Sequence, residues 1–205
     1  GVIDNGNPDN LFKAENTWTP TNTIGNHIAL YTNGGVERGK NYDANQMNIS
    51  TYSSIEFKIN DKIKSVIGLR AENFVQKYTG ENSGGTVKYD DEKVIDKLDI
   101  FPSTNFIYSL KENSNLRLAY SKTTARPSFK EVSIAEIYDP LSNMTFNGNI
   151  NLKPSYIDNL DLRYELFGED NELFAISGFY KSFKDPIELT YYEASTENFQ
   201  PKNLG

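Results

Sequence analysis

Leu116, Leu118 and Tyr120 alternate with Asn115, Arg117, Ala119 and Ser121, a period of two that lays an apolar stripe along one side of an extended segment and a polar stripe along the other. The same alternation runs through Asn48 to Ile59, Ile63 to Glu72, Ile100 to Leu110 and Tyr156 to Phe167. Leu173 to Phe183 is apolar on both parities, which leaves its facing open. Short polar breaks separate these runs in pairs, at Asn60-Asp61-Lys62, Leu110-Lys-Glu-Asn-Ser114 and Gly168-Glu-Asp-Asn171. The pattern predicts six antiparallel strands at 48–59, 63–78, 99–110, 115–125, 156–167 and 172–183, joined in three hairpins by turns at 60–62, 111–114 and 168–171.

Between the hairpins the pattern lapses. Residues 1–47 are rich in Asn, Gly, Thr and Asp, with one weak strand at 27–31, and are expected as a loop. Residues 79–97 read as a polar loop carrying Gly84-Gly85 and Asp90-Asp91-Glu92, and 184–205 read as a last loop after Asp185-Pro186. In the stretch from Pro127 to Ser155 the spacing of Phe129, Val132, Ile134 and Ile137 predicts one or two helical turns stopped by Asp139-Pro140, hence a folded loop. One end of the array has tight turns and the other has long loops, the asymmetry of an outer-membrane barrel. Strands of about nine to twelve residues suit a tilted crossing of the hydrocarbon layer. The expected fold class is all-β: an antiparallel meander of about six long strands with short turns at one end and long loops at the other, part of a larger transmembrane β-barrel.

Composition is compatible with this reading. Among 205 residues there are 13 Tyr and 12 Phe against a single Trp, the mean hydropathy is negative, and no apolar run of about 18 residues exists that could cross a bilayer as a helix. Only every second residue of a barrel strand meets lipid, so a polar average is no obstacle. A net charge of −7 disfavours a phosphate-backbone partner, and nucleic acid is not expected. The absence of cysteine removes disulfides, thiolate metal sites and thiol nucleophiles together.

Candidate chemistry is sparse. His27, the sole histidine, stands in a loop without a paired acid or serine, so no catalytic residue is expected. Asp4, Asp9 and Asp90-Asp91-Glu92 carry oxygens but no calcium-loop spacing, and no metal or cofactor is expected. Asn48-Ile-Ser50 and Asn143-Met-Thr145 fit a glycosylation pattern, which reads as fortuitous where Asn48 opens a strand. Arg126-Pro127 reads as a strand exit, with proline ending the ladder and the arginine reaching headgroup level. Arg70, Glu72, Arg117, Arg163 and Glu165, together with Glu56 and Asp161, share the polar parity; they read as paired charges, or more sharply as a substrate path.

The chain resembles the barrel of a TonB-dependent outer-membrane receptor of the kind abundant in Bacteroidetes. The segments that carry the resemblance are Asn7-Pro-Asp-Asn-Leu-Phe12, Val66-Ile-Gly-Leu-Arg70-Ala-Glu72 with Tyr78-Thr-Gly80, and Leu98-Asp-Ile-Phe-Pro102-Ser. They continue with Asn115-Leu-Arg-Leu-Ala-Tyr-Ser-Lys-Thr123, Ala125-Arg-Pro-Ser-Phe129, Ile137-Tyr-Asp-Pro140, Gly148-Asn-Ile-Asn-Leu-Lys-Pro154 and Asn159-Leu-Asp-Leu-Arg-Tyr-Glu165. Such receptors close about 22 strands around a plugged lumen. The resemblance therefore implies a partial barrel over 1–205, with external loops at 1–47 and 184–205, strand regions at 48–78, 99–125 and 156–183, and no plug domain. It also implies uptake of a small-molecule, peptide or glycan nutrient, with outer-membrane lipid as one partner and the TonB coupling system, through a plug elsewhere in the parent chain, as another. The polar-parity residues Arg70, Glu72, Arg117, Arg163 and Glu165 would then face the lumen.

Parity also puts Ile55, Phe57, Ile67, Leu69, Phe106, Tyr108, Leu116, Leu118, Leu162 and Tyr164 on one face and Arg70, Arg117 and Arg163 on the other. Tyr138 and Phe146, aromatic groups on the long loop, are the candidate ligand contacts. The competing reading is a soluble β-rich adhesion or carbohydrate-binding module, in which the greasy faces of the same strands meet in a sandwich. An outer-membrane hydrolase is a third, which the lack of a nucleophile and base opposes.

Overall fold

The structure is a computed structural model that describes Gly39 and residues 41–170, 172–192 and 195–205. The weak strand at 27–31, His27, Asp4, Asp9 and the Asn7–Phe12 segment lie outside the described residues. Ten strands and one helical turn follow in chain order: β1 Tyr42–Asn60, β2 Ile63–Glu81, β3 Lys88–Lys111, β4 Ser114–Ala125, α1 Phe129–Val132, β5 Glu136–Asp139, β6 Met144–Asn147, β7 Ser155–Phe167, β8 Leu173–Lys184, β9 Ile187–Tyr192 and β10 Ser195–Asn203. They form two sheets. A six-stranded antiparallel meander runs β1-β2-β3-β4-β7-β8, and a smaller sheet runs β5-β6-β10-β9.

All six expected strands are present in the meander, and the register bears out the expected facing. Ile55 stands opposite Ile67, Ile67 opposite Thr104, Phe106 opposite Leu118, and Leu118 opposite Leu162. Cross-strand partners share a face, so the apolar residues form one continuous surface with the arginines behind it. Leu162 opposes Gly178 and Tyr164 opposes Ile176, which puts Phe174, Ile176 and Tyr180 of β8 on the apolar face and leaves Phe179 and Phe183 on the polar one. Ile55, Ile67, Leu118, Leu162 and Ile176 remain exposed, and the sheet is open, with β1 and β8 at its edges among the described residues.

The tight turns close as the polar breaks suggested. The Asn60 side chain accepts the amide hydrogens of Lys62 and Ile63, both at 2.9 Å, and Phe167 N–H donates to the Asn113 carbonyl at 2.8 Å, tying two neighbouring turns together. Asp170 turns with φ 57°, a conformation that short polar side chains tolerate.

Three loop expectations are corrected. Residues 79–97 are not a loop: β2 runs on to Glu81 and β3 begins at Lys88, so only 82–87 turn the chain, around an Asn82 side chain that accepts from Thr86 N–H at 2.8 Å and Val87 N–H at 3.0 Å. Lys77, paired with Asp91, and Lys93, paired with Asp96, stand on the side away from the buried Tyr78 and Ile95, and register shifts at Gln76/Lys77 and Tyr78/Gly80 break the alternation. Residues 42–47 extend β1, pairing with β2 from Gly80 to Val75. Residues 184–205 hold β9 and β10 in place of a loop.

The stretch from Pro127 to Ser155 is folded, but its helix is a single turn. Ser128 and Glu131 form a reciprocal capping box, and Ser133 ends the turn by donating its hydroxyl to the Lys130 carbonyl at 2.8 Å. Two residues on, β5 and β6 pair as a hairpin. Gly148 is required here, since a Cβ at this position would stand 2.1 Å from the Ser133 carbonyl oxygen. The following asparagine donates to the Pro201 carbonyl at 3.0 Å and its own amide to the Glu131 carbonyl at 2.7 Å, fastening α1 to β10. Buried apolar residues fall in both parts: Phe74, Tyr78, Ile95 and Phe101 on the polar face of β2 and β3, and Val132, Ala135, Phe146 and Leu152 in the stretch that follows β4. Ile134 N–H donates to the Tyr78 hydroxyl at 3.3 Å.

Candidate functional site

On the polar face the strands bring two carboxylates under two guanidiniums each. Glu72, only 6% exposed, accepts from Arg70 Nε at 2.6 Å on one oxygen and from Arg126 Nη2 at 2.6 Å on the other, with Asn48 Nδ2 at 3.4 Å. Glu165 is held by Arg117 Nε at 2.7 Å and Arg163 Nε at 2.9 Å. The Glu165 cluster carries one net positive charge, whereas the Glu72 cluster is balanced by Asp99, 3.9 Å from Arg126. The arrangement follows from strand geometry, because Arg70 and Glu72 are two apart on β2, Arg163 and Glu165 two apart on β7, and two-residue spacing keeps both members on one face. All five polar residues singled out from parity thus share the polar face, in two separate groups.

Arg126 was expected at headgroup level, and the structure corrects this. Its side chain turns back onto the polar face, stacks over the Phe74 ring at 4.3 Å and binds Glu72. The cause is that the β3–β4 ladder ends at Ser103–Ser121, so the last residues of β4 separate from β3 and the arginine finds a carboxylate there. Asp99, directly across from Glu72, accepts from the Tyr156 hydroxyl at 2.7 Å. Neither Arg126 nor Asp99 stood out in sequence as part of this cluster; both belong to the segments that carried the family resemblance.

Beside Arg126 an open cavity of about 440 Å³ lies between the two sheets, with Glu131 and Ser155 on its polar side and Ile157, Phe183 and Ile187 on its apolar side. Such a mixed wall can hold a small amphipathic group.

Tyr138 and Phe146 do not share a surface. Phe146 opposes Ile137, the neighbour of Tyr138, so the two aromatic rings project from opposite faces of the β5–β6 hairpin. Phe146 is 7% exposed, packed edge-on against Phe199 at 5.7 Å and under Lys130 Nζ at 4.5 Å. Tyr138 is 53% exposed and donates its hydroxyl to Asn143 Oδ1 at 2.9 Å. Leu141, at the hairpin tip, is 97% exposed. The tip is fixed by Asp139, whose carboxylate accepts from Ser142 Oγ at 2.7 Å and Leu141 N–H at 3.0 Å; these bonds hold its pKa below the ordinary value of 3.8. Asp91, one of the oxygens considered for calcium, is bound by Lys77 and by its own amide to Thr79 Oγ1. Among the described residues no cluster of three or more potential ligands exists.

An open antiparallel meander with one lipid-compatible face has known counterparts. The profile of the outer membrane protein beta-barrel family matches residues 12–205. The chain belongs to this family. It is an outer-membrane protein, and its six-stranded sheet is a sector of the family's barrel. Among solved structures it is similar to the Serratia marcescens hemophore receptor HasR, with 14% identity, a TM-score of 0.64, and coverage of 78% of this chain and 30% of that one. It is also similar to the copper transporter OprC, at 16% identity and TM-score 0.59, covering 78% of this chain and 24% of that one. A third likeness is the FrpB iron transporter from Neisseria meningitidis, at 14% identity and TM-score 0.53, covering 80% of this chain and 22% of that one. The outer membrane barrel sector thus spans between about a fifth and a third of the receptors it matches. Comparison with curated proteins finds no significant match.

Proposed function

We propose that this barrel sector belongs to a TonB-dependent receptor, of the kind found in Bacteroidetes, that draws a scarce nutrient through the outer membrane with energy relayed from the inner membrane. The observation that carries the reading is the division of the six-stranded sheet into an exposed apolar face and a face of paired charges. A barrel needs that division, with lipid outside and water inside. The arginine–glutamate clusters then line the lumen, and the β5-β6-β10-β9 sheet stands at the outer mouth. Tyr138 is the solute contact, presented on a hairpin stiffened by Asp139, while Phe146 supports it by packing from beneath. The solute is a small molecule, peptide or glycan. Binding and passage are the work proposed for these residues.

A soluble sandwich is disfavoured by where the second sheet packs. A sandwich would cover the apolar face, whereas here the second layer meets the polar face and leaves Ile55, Leu118 and Leu162 bare. The test is uptake by cells carrying or lacking the intact receptor, using labelled ferric chelate, heme, copper and a mixed oligosaccharide pool. Receptor-dependent accumulation of one of these, abolished by a proton uncoupler, is the expected result. Receptor protein recovered in the aqueous rather than the membrane fraction would overturn it.

A further inference from the structure

Glu72 and Asp99 stand directly opposite each other across the β2–β3 ladder, and both are largely buried. Two like charges in that position repel unless something neutralises them. Arg70 of β2 offsets part of this charge, and two further partners, one cation and one hydroxyl donor, come from the two ends of one excursion of the chain. Arg126 is the residue at which the chain leaves β4, and it binds Glu72 Oε2 at 2.6 Å while standing 3.9 Å from Asp99 Oδ2. Tyr156 is the second residue of β7, where the chain returns, and its hydroxyl donates to Asp99 Oδ1 at 2.7 Å. Between them lie α1, β5 and β6, with Tyr138 on β5 and Leu141 in the turn that joins β5 to β6.

We propose that Glu72 and Asp99 are positioning residues, an acidic anchor on the barrel wall that sets where the second sheet stands by gripping both ends of the segment that bears it. The proposal rests on the receptor reading only for what the second sheet touches; the anchor itself is a statement about geometry. Arg70 supplies the internal control. It binds the same carboxylate as Arg126, at the same 2.6 Å, but it belongs to β2 and has no connection to the excursion. If Glu72 merely balanced charge on the wall, losing either arginine would have the same effect. If it anchors, only Arg126 matters to the position of the second sheet.

The full-length receptor in outer-membrane vesicles, with cysteines at Val87 and Leu141 carrying spin labels, reads this directly as a distance distribution. The described chain contributes no competing thiol. Glu72→Gln, Arg126→Gln and Tyr156→Phe should each widen the distribution about twofold by freeing one tether of a locally stable unit. The Glu72→Gln/Arg126→Gln pair should widen it no more than either alone, and Arg126→Lys should restore part of the narrow peak. Arg70→Gln should leave it unchanged. Equal broadening by Arg70→Gln and Arg126→Gln overturns the anchor, as does an unchanged distribution in Tyr156→Phe. The tyrosine variant loses one hydroxyl only, so it decides the matter even where a Glu72 variant fails to assemble. The readout needs no solute, so a widened distribution with unaltered uptake supports the anchor and counts against Tyr138 as a contact.

Discussion

Arg117 and Arg163 stand directly opposite one another across the β4–β7 ladder, and both guanidinium groups close on the single carboxylate of Glu165. Two cations side by side on a sheet repel, so the glutamate is what makes the pairing tolerable. Glu165→Gln should therefore destabilise the assembled barrel by about 2 kcal/mol, a figure kept below that for a fully buried pair because the guanidiniums are partly exposed and screened. Removing Arg163 as well, by Arg163→Gln, should recover part of the loss. Urea titration followed by the gel mobility of the folded barrel measures both, and additive losses would contradict the coupling.

Nitroxide labels in the intact receptor should separate the two faces. A label at Leu118 should be quenched by lipid-dissolved oxygen and one at Arg117 by a water-soluble nickel chelate. The reverse pattern would mean that the register places the sheet inside out.

Gly148→Ala should disorder the second layer without dissolving the strands. The new methyl group would meet the Ser133 carbonyl oxygen, and the local shift this forces costs on the order of 2 kcal/mol. Limited proteolysis should cut between residues 127 and 155 in the variant and spare the wild-type chain.

The two aromatic residues of the long excursion should behave differently. Tyr138→Ala removes an exposed ring and should weaken uptake with assembly and protease resistance intact. Phe146→Ala empties a packed site beside Phe199 and should cost about 3 kcal/mol, lowering protease resistance first. Matching phenotypes would argue that Tyr138 too is only structural.

Acid should loosen the β5–β6 tip. The Ser142 hydroxyl and then the Leu141 amide depress the Asp139 pKa, so the stabilisation is complete above the ordinary value of 3.8 and is lost as pH falls through the lower folded value. The amide resonances of Leu141 and Ser142 should titrate together at that pH and stop doing so in Asp139→Asn.

The strands with one apolar and one polar face were readable because opposite surroundings enforce alternation. On the proposed facing Leu116, Leu118 and Tyr120 meet hydrocarbon and Arg117 does not, so the pattern is unambiguous, and β4 appears within one residue of its expected bounds. Above that zone the rule lapses: Lys77, Lys93 and Asp96 stand on the side away from the buried Tyr78 and Ile95, register shifts break the period, and the segment reads as loop while forming ladder. β9 did carry a signal, with Ile187, Leu189 and Tyr191 alternating with Glu188 and Thr190, but over so few residues that it passed for coil. Arg126 was legible as a strand exit and illegible as a partner of Glu72, because that contact spans 54 residues and depends on where two strands part. Phe146 looked like a ligand group since aromatic residues in loops invite that reading; only the arrival of Phe199 beneath it makes it core.

β6 has no antiparallel route to its second neighbour. It pairs in parallel with β10, joining Phe146 to Phe199, and the bond from Asn149 to Pro201 links positions 52 residues apart. Every ladder of the meander, by contrast, joins strands consecutive within it. Pairing β6 with β10 therefore closes a loop that contains β7, β8 and β9, and contacts so distant in sequence form more slowly than local ones. In the time course of assembly, protection of the backbone amides of β1 to β4 should precede that of β6, and the mouth of the barrel should be the last part of this sector to acquire its shape.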